Sequence, residues 1–278
     1  MSPHPRHPSS SANDAARTRY LRLERSGGVI TVGPEQADRP ALTAEIIAEL
    51  RDVVAELVRE GRTRVLVLGG SGHGFGSGAD PERIVAATLA LGAGELLALT
   101  RTTGQVVRAL REAPFPVVAG VRGTAAGAAA ALALAADFRV ADPGARFVFP
   151  FTRAGLAGAD AGAAYLLPRL VGLGRASRLL LLGDPVDAAE AERIGLVGPL
   201  APEDRAAEAA DQLAHRLAAG PAPAHRETKA LLTAELDLPL GAAVDLDAAA
   251  QALLLAAPDH APFPAAPTTR PEPEWEGH

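Results

Sequence analysis

The stretch GGSGHGFGSGAD, Gly69 to Asp80, is where residue types and spacing could first do chemistry. Gly74-x-Gly76-x-x-Ala79 fits a dinucleotide fingerprint in form. Yet it begins several residues after the preceding strand should end, Asp80-Pro81 stands where a helix should already run, and no acidic residue closes a following strand at the right distance. A nucleophile elbow fails as well, because neither Ser71 nor Ser77 is flanked as G-x-S-x-G requires. What remains is a loop whose glycines let a backbone N–H approach a ligand closely, or an ordinary surface loop. His4, His7, His73, His215, His225, His260 and His278 form no His-x3-His or HExxH pair, so a histidine-built metal site is not expected. Asp160 precedes the helical stretch Ala161 to Leu170, a place where aspartate commonly caps a helix.

The elements that would position these groups follow from periodicity. Tyr20 to Val32 alternates and breaks at Gly27-Gly28, which predicts a hairpin. Thr43 should cap a helix from Ala44 to Arg59, with Ile46, Ile47, Leu50, Val53, Val54 and Leu57 on its apolar face. Val65 to Leu68 and Pro116 to Val121 read as strands, with a helix from Leu96 to Arg111 between them. The next segment is expected as a turn, a helix from Ala125 to Ala135, and strands at Asp137 to Val140 and Arg146 to Phe149. Helices are then expected at Ala161–Leu170, Ser177–Leu182, Ala188–Ile194, Asp204–Ala218, Ala222–Glu235 and Gly241–Ala256. Strands alternating with helices, then helices alone, indicate an α/β parallel-sheet core with a helical C-terminal part. The expected division is a disordered lead over 1–18, a core over 19–200, and a helical part with a proline-rich tail over 201–278.

Composition narrows the class. With 48% hydrophobic residues the chain can build a sizeable core, and with only 4% aromatics that core should rest on close helix packing by alanine. The absence of cysteine excludes disulfides and thiolate metal sites. A net charge of −6 argues against nucleic acid as partner. The small-apolar run from Gly123 to Ala136 is too short to span a bilayer, and the N-terminus lacks the apolar core of a signal peptide, so a cytoplasmic protein is expected.

The segment PVVAGVRGTAAGAAAALALAADFRVAD, Pro116 to Asp142, resembles the core motif of the crotonase superfamily, the enoyl-CoA hydratase/isomerase family. FGSGAD, Phe75 to Asp80, is similar to that family's F-x-A-G-A-D loop, and Leu166 to Val197 to the stretch beyond its active site. The C-terminal tail resembles the family's ending, so the likeness spans roughly residues 20 to 277. The resemblance implies a crotonase-like spiral of ββα units, a C-terminal helical trimerisation part, and a homotrimer or hexamer acting on an acyl-CoA thioester. Coenzyme A would enter as part of the substrate, with no separate cofactor. It further implies an oxyanion hole made by the N–H groups of Ala79 and Ala128, with Gly127, Ala131, Phe149, Phe151, Asp80 and Arg39 around the substrate. A backbone N–H at a helix start suits an oxyanion whatever its side chain, because the first-turn donors are unpaired and the dipole is positive there.

The sequence departs from the family where hydratases carry two glutamates: the positions fall on Ala131 and Phe151, neither of which can move a proton. One acid remains. GLAGADAGAAYLLPR, Gly155 to Arg169, resembles the dienoyl-CoA isomerase segment whose aspartate is the acid/base, which matches Asp160. His73, Arg83 and Tyr165 are weaker polar candidates, and Glu82 replaces a usual lysine near CoA. The expected activity is therefore hydration or isomerisation with one aspartate. A non-catalytic acyl-CoA-binding subunit and another crotonase reaction, such as C–C hydrolysis, decarboxylation or a biosynthetic step, are the alternatives.

Overall fold

The computed structural model describes residues 16–35, 42–69, 86 and 88–256. Strands β1 (Ala16–Arg17), β2 (Leu21–Ser26) and β3 (Val29–Pro34) form an antiparallel meander. Gly27 and Gly28 form the β2–β3 turn with φ of 55° and 81°, so Ser26 pairs with Val29 across a two-residue loop. Two consecutive positive φ values match the twist of the flanking strands, and glycine reaches them without steric cost.

Helix α1 (Ala44–Glu60) starts where Thr43 accepts a hydrogen bond from the Ile46 N–H at 3.4 Å. It ends at Gly61, which is left-handed. All six apolar positions read from its periodicity are buried. Strand β4 (Val65–Leu68), helix α2 (Ala93–Glu112) and strand β5 (Val117–Val121) follow. β3, β4 and β5 run parallel, and both β4 and β5 are buried along their whole length, as expected of strands covered on both faces.

Beyond β5 the chain winds as a spiral. It adds β6 (Thr124–Ala126) to a second, three-stranded sheet, then makes helix α3 (Ala128–Ala135), then returns to the large sheet as β7 (Phe138–Ala141). β8 (Arg146–Val148) pairs with β6 in the small sheet, which β9 (Val186–Asp187) completes. The large sheet thus has the order β1-β2-β3-β4-β5-β7 and the small one β6-β8-β9. The helix expected from Ala125 in fact begins at Ala128. Residues 124–126 are recruited as a strand by β8, and Gly127 makes the break with φ 56° and ψ −118°.

Helices α4 (Ala163–Val171), α5 (Leu173–Leu182) and α6 (Ala188–Arg193) precede three C-terminal helices, α7 (Ala206–Ala218), α8 (Ala222–Ala234) and α9 (Leu240–Leu255). α7 lays Ala210, Ala214 and Ala218 on Val29, Val65, Val67 and Val118, covering one face of the large sheet. The methyl side chain of Ala210 lies so close to Gly120 that a Cβ there would sit 3.1 Å away. This is the alanine-based close packing that the composition implied.

α8 is fastened by one cation. Lys229 is buried, and its Nζ donates to the carbonyls of Leu110 (2.7 Å) and Phe115 (2.9 Å) and pairs with Asp137 at 2.8 Å. Asp137 also accepts from the Val117 N–H at 2.8 Å, so one carboxylate ties the end of α2, the start of β5 and α8 together. Burial pushes the Lys229 amine below its ordinary range, and Asp137 opposes that shift. Lys229→Met should leave the Leu110 and Phe115 carbonyls without their cation and Asp137 with only the Val117 N–H and a longer contact to Arg111. We expect a loss of about 3–5 kcal/mol in chemical denaturation, with part of it recovered in the Lys229→Met/Asp137→Asn double variant.

Candidate active site

From Ala125 to Ala136 every residue is buried except Ala128. The cause is the turn at Gly127, whose N–H bonds back to Val148 at 3.0 Å and ends the strand while its backbone swings the helix away. Ala128 is therefore the first residue of α3, and the N–H groups of a first helical turn have no carbonyl one turn back. The positive end of the helix dipole lies at the same point.

Ala128 lines a cavity of about 440 Å³. Its other walls are Leu42 and Ile47 around the start of α1, Leu96, Leu99, Thr100 and Thr103 on α2, and Phe151, Leu156 and Asp160 from the segment before α4. Thr103 is buried and spends its hydroxyl on the Leu99 carbonyl at 2.9 Å, so it offers the cavity little polarity. Among the described residues, Asp160 is the acid in this lining.

Asp160 is half-buried, and desolvation raises its carboxyl above the ordinary carboxylate range, opposed by a hydrogen bond from the Ala161 N–H. It is not the cap of the helix that follows. α4 begins two residues beyond Ala161, with Gly162 as N-cap and no side-chain cap. The Asp160 carbonyl, not its carboxylate, accepts from the Ala163 N–H at 2.9 Å. Between aspartate and helix the backbone is left-handed twice, at Ala161 (φ 46°) and Gly162 (φ 83°). A non-glycine residue in that region costs on the order of 1 kcal/mol and persists where the surroundings impose it. Here it turns the carboxylate off the helix axis and into the cavity wall.

The structure brings together Ala128, Phe151 and Asp160 of the residues singled out from sequence. Gly127, Ala131 and Phe149 are buried beside this cavity but do not line it. Ala79, Asp80, Arg39, His73, Glu82 and Arg83 lie outside the described residues. Tyr165 is not a core residue: it is exposed, donates its hydroxyl to Asp237 at 2.7 Å, and stacks under the Arg169 guanidinium at 3.6 Å. The α2 wall and the left-handed Ala161 were not foreseen. Thr100 and Thr103 interrupt the apolar face of α2, which was the available signal for the wall; nothing in an Asp-Ala-Gly triplet announces positive φ at alanine. Among the described residues no cluster of histidine and carboxylate side chains could hold a metal ion, and no helix is long and apolar enough to cross a membrane.

A helix start and a carboxyl with a raised pKa thus line one cavity. The enoyl-CoA hydratase/isomerase family model matches residues 24–262. The chain belongs to the enoyl-CoA hydratase/isomerase family. It is 37% identical over 213 residues to the probable enoyl-CoA hydratase echA12 of Mycobacterium bovis, covering 73% of this chain and 72% of that protein. It is 36% identical over 197 residues to the 1,2-epoxyphenylacetyl-CoA isomerase of Escherichia coli K12, covering 70% and 74%. A crystal structure described as a candidate enoyl-CoA hydratase from Streptomyces coelicolor A3(2) superimposes with a TM-score of 0.86 at 58% identity, covering all of both chains. The fold is the crotonase fold with its helical C-terminal region, and the protein is an enzyme of the hydratase/isomerase type.

The raised pKa of Asp160 has a sign for stability. The folded state holds this proton more tightly than the unfolded chain, so stability falls as pH rises from the unfolded carboxyl value, about 3.9, through the higher folded one. Asp160→Asn removes that cost. The variant should therefore melt at or above the wild-type temperature at neutral pH, and its advantage should vanish in thermal melts run below the unfolded value.

Proposed function

We propose that this enzyme polarises the thioester carbonyl of an acyl-CoA with the Ala128 N–H and moves one proton with Asp160. The observation that carries the reading is that Ala128 and Asp160 line the same cavity of about 440 Å³. The Ala79 N–H is the second donor of the oxyanion hole, by motif position; Asp80 and Arg39 belong to the substrate surroundings on the same ground. Coenzyme A enters as part of the substrate, and no separate cofactor is used.

The chemistry follows from the positions. With the carbonyl oxygen on helix-start donors, the electron pair released by deprotonation next to the thioester moves onto that oxygen as an enolate. Ionised Asp160 takes the proton and, now neutral, returns it to another carbon of the conjugated system. A double bond shifts and no atom is gained or lost. A carboxyl whose pKa is raised toward neutrality serves both halves better than an ordinary one. Isomerisation is favoured over hydration because Ala131 and Phe151 stand where hydratases hold their two acids, and Ala131 is wholly buried. Similarity to an enzyme named as a 1,2-epoxyphenylacetyl-CoA isomerase supports the same preference.

The absence of both family glutamates also favours a second reading, an acyl-CoA-binding subunit without turnover. In either case the unit is proposed to be a homotrimer or a hexamer of two trimers in the cytoplasm. Exposed Leu232 on α8 and Leu240 and Leu253 on α9, two helices in contact with each other, support assembly.

Two variants test the mechanism in steady-state assays over a panel of enoyl- and dienoyl-CoA thioesters. Asp160→Asn should lower kcat by about 100-fold or more with little change in KM. Ala128→Pro deletes the N–H at a first helical position, where proline is tolerated. It should lower kcat/KM by about 100- to 1,000-fold while the fold is kept. Wild-type rates in either variant would remove that group from the mechanism. Calorimetric binding of acyl-CoA with no turnover on the panel would establish the second reading.

A further inference from the structure

The active-site cavity holds a second charged group that the proposed mechanism does not use. Two of the described residues in its lining carry ionisable side chains, Asp160 and Arg101, the latter on α2. Arg101 is exposed, so it stands at the rim, next to Thr100 in the α2 wall. Among the described residues it forms no hydrogen bond, ion pair or ring contact. The sequence shows part of the reason. Neighbours on a helix surface lie three and four residues away, and for Arg101 these are Leu97, Ala98, Gly104 and Gln105, none of them an acid.

The arginines around the adjoining cleft differ. That cleft, of about 820 Å³, lies between α2, α4 and α8, and Ala161, the left-handed residue after Asp160, lines it and the active-site cavity alike. Arg108 there holds Glu112 at 2.8 Å, Arg111 reaches Asp137 at 3.4 Å, and Arg226 holds Glu227 at 3.1 Å. Their charge is spent on the protein itself. That of Arg101 is not.

We propose that Arg101 is a specificity-determining residue that binds a carboxylate at the far end of the acyl group, which makes the substrate class the CoA thioesters of dicarboxylic acids. The inference rests on the function proposed above and names the substrate of that same site. A guanidinium presents a planar fork of N–H donors that matches a carboxylate. Leu99, Phe151 and Leu156 in the same lining are apolar, so the pair forms where it is screened less than on an open surface. A carboxylate entering a cavity that already holds ionised Asp160 is repelled by it, and Arg101 supplies the opposite charge. The phosphates of coenzyme A are the other anions of such a thioester. The extended pantetheine arm carries them away from the carbonyl at Ala128, whereas the acyl group stays in the cavity that Ala128, Asp160 and Arg101 line together.

Isothermal calorimetry with saturated thioesters reads this contact without turnover. Glutaryl-CoA is compared with pentanoyl-CoA, and adipoyl-CoA with hexanoyl-CoA, each pair differing in whether the chain ends in carboxylate or methyl. Wild-type protein should bind the dicarboxylic member at least about tenfold more tightly in one pair or both. Arg101→Gln, with folding checked by its thermal melt, should bring that preference to within about twofold of parity and leave the binding of free coenzyme A unchanged. Arg101→Lys should keep part of the preference, since the charge remains and the fork is lost. No preference in the wild type, or an intact preference in folded Arg101→Gln, overturns the carboxylate contact and leaves the proposed function standing. Equal weakening of every thioester and of free coenzyme A in Arg101→Gln also overturns it, and assigns the guanidinium to the phosphates. Binding of none of the thioesters by the wild type overturns both.

Discussion

The backbone turn at Gly127 is the constraint on which the site depends. A strand of the small sheet must become a helix within one residue, and the change is made at φ 56° and ψ −118°. An L side chain would be strained there, whereas glycine is not. The result is a helix whose first residue lines the cavity while its remaining residues pass into the core. The eight residues of α3 are alanine and leucine alone, and seven are buried. A helix apolar on every side can lie that deep only because its neighbours leave a narrow channel that methyl side chains fit. The dipole that ends at Ala128 is therefore surrounded by hydrocarbon, where its field is less screened than at a surface.

The same constraint explains why no carboxylate stands on α3. Ala131 stands about one turn into the helix and is 1% exposed, packed among α3's neighbours. A glutamate there would have to displace side chains in a filled interior, and its charge would be desolvated unless a partner were supplied. Asp160 occupies a different environment. It sits in the cavity wall, half-buried, where burial raises its carboxyl above the ordinary range and the Ala161 N–H opposes the shift. Its position depends on the left-handed pair Ala161 and Gly162, which delays the helix and spares the carboxylate from capping duty. Strain at Ala161 and a carboxyl whose burial disfavours its charge both work against stability, and the two stand side by side in the cavity wall.

Much of the fold was legible because it is written in periodicity. The β2–β3 hairpin, the face and cap of α1, the strands around Val65 and Val117, and the succession of C-terminal helices follow from alternation, i/i+4 spacing and glycine punctuation. The errors share a cause. Residues 124–126 look helical in a run of alanines, and only pairing with β8, distant in sequence, makes them a strand. Short strands such as β9 have too few residues to show a period. Phe149 and Phe151 look equivalent in FPF, yet the 3-10 turn that begins at Pro150 sends one into the core and leaves the other at the cavity. That Asp160 does not cap the helix after it was not legible, because positive φ at alanine is a tertiary outcome rather than a propensity.

α2 links these observations. Its face toward α1 supplies core packing through Val106 and Leu110, while the adjoining stripe is interrupted by Thr100, Thr103, Gly104 and Arg111. A helix serving only as cover would gain from leucine at those positions. Here the hydroxyl of Thr103 is turned back on its own helix, and the end of α2 is fixed by Lys229 and by the contact of Arg111 with Thr233. A buried cation holding two carbonyls and a carboxylate resists displacement, since breaking it exposes several unpaired groups at once. The wall shared by both cavities is thus a rigid element anchored at its far end by α8, and the left-handed turn after Asp160 is the thinner partition.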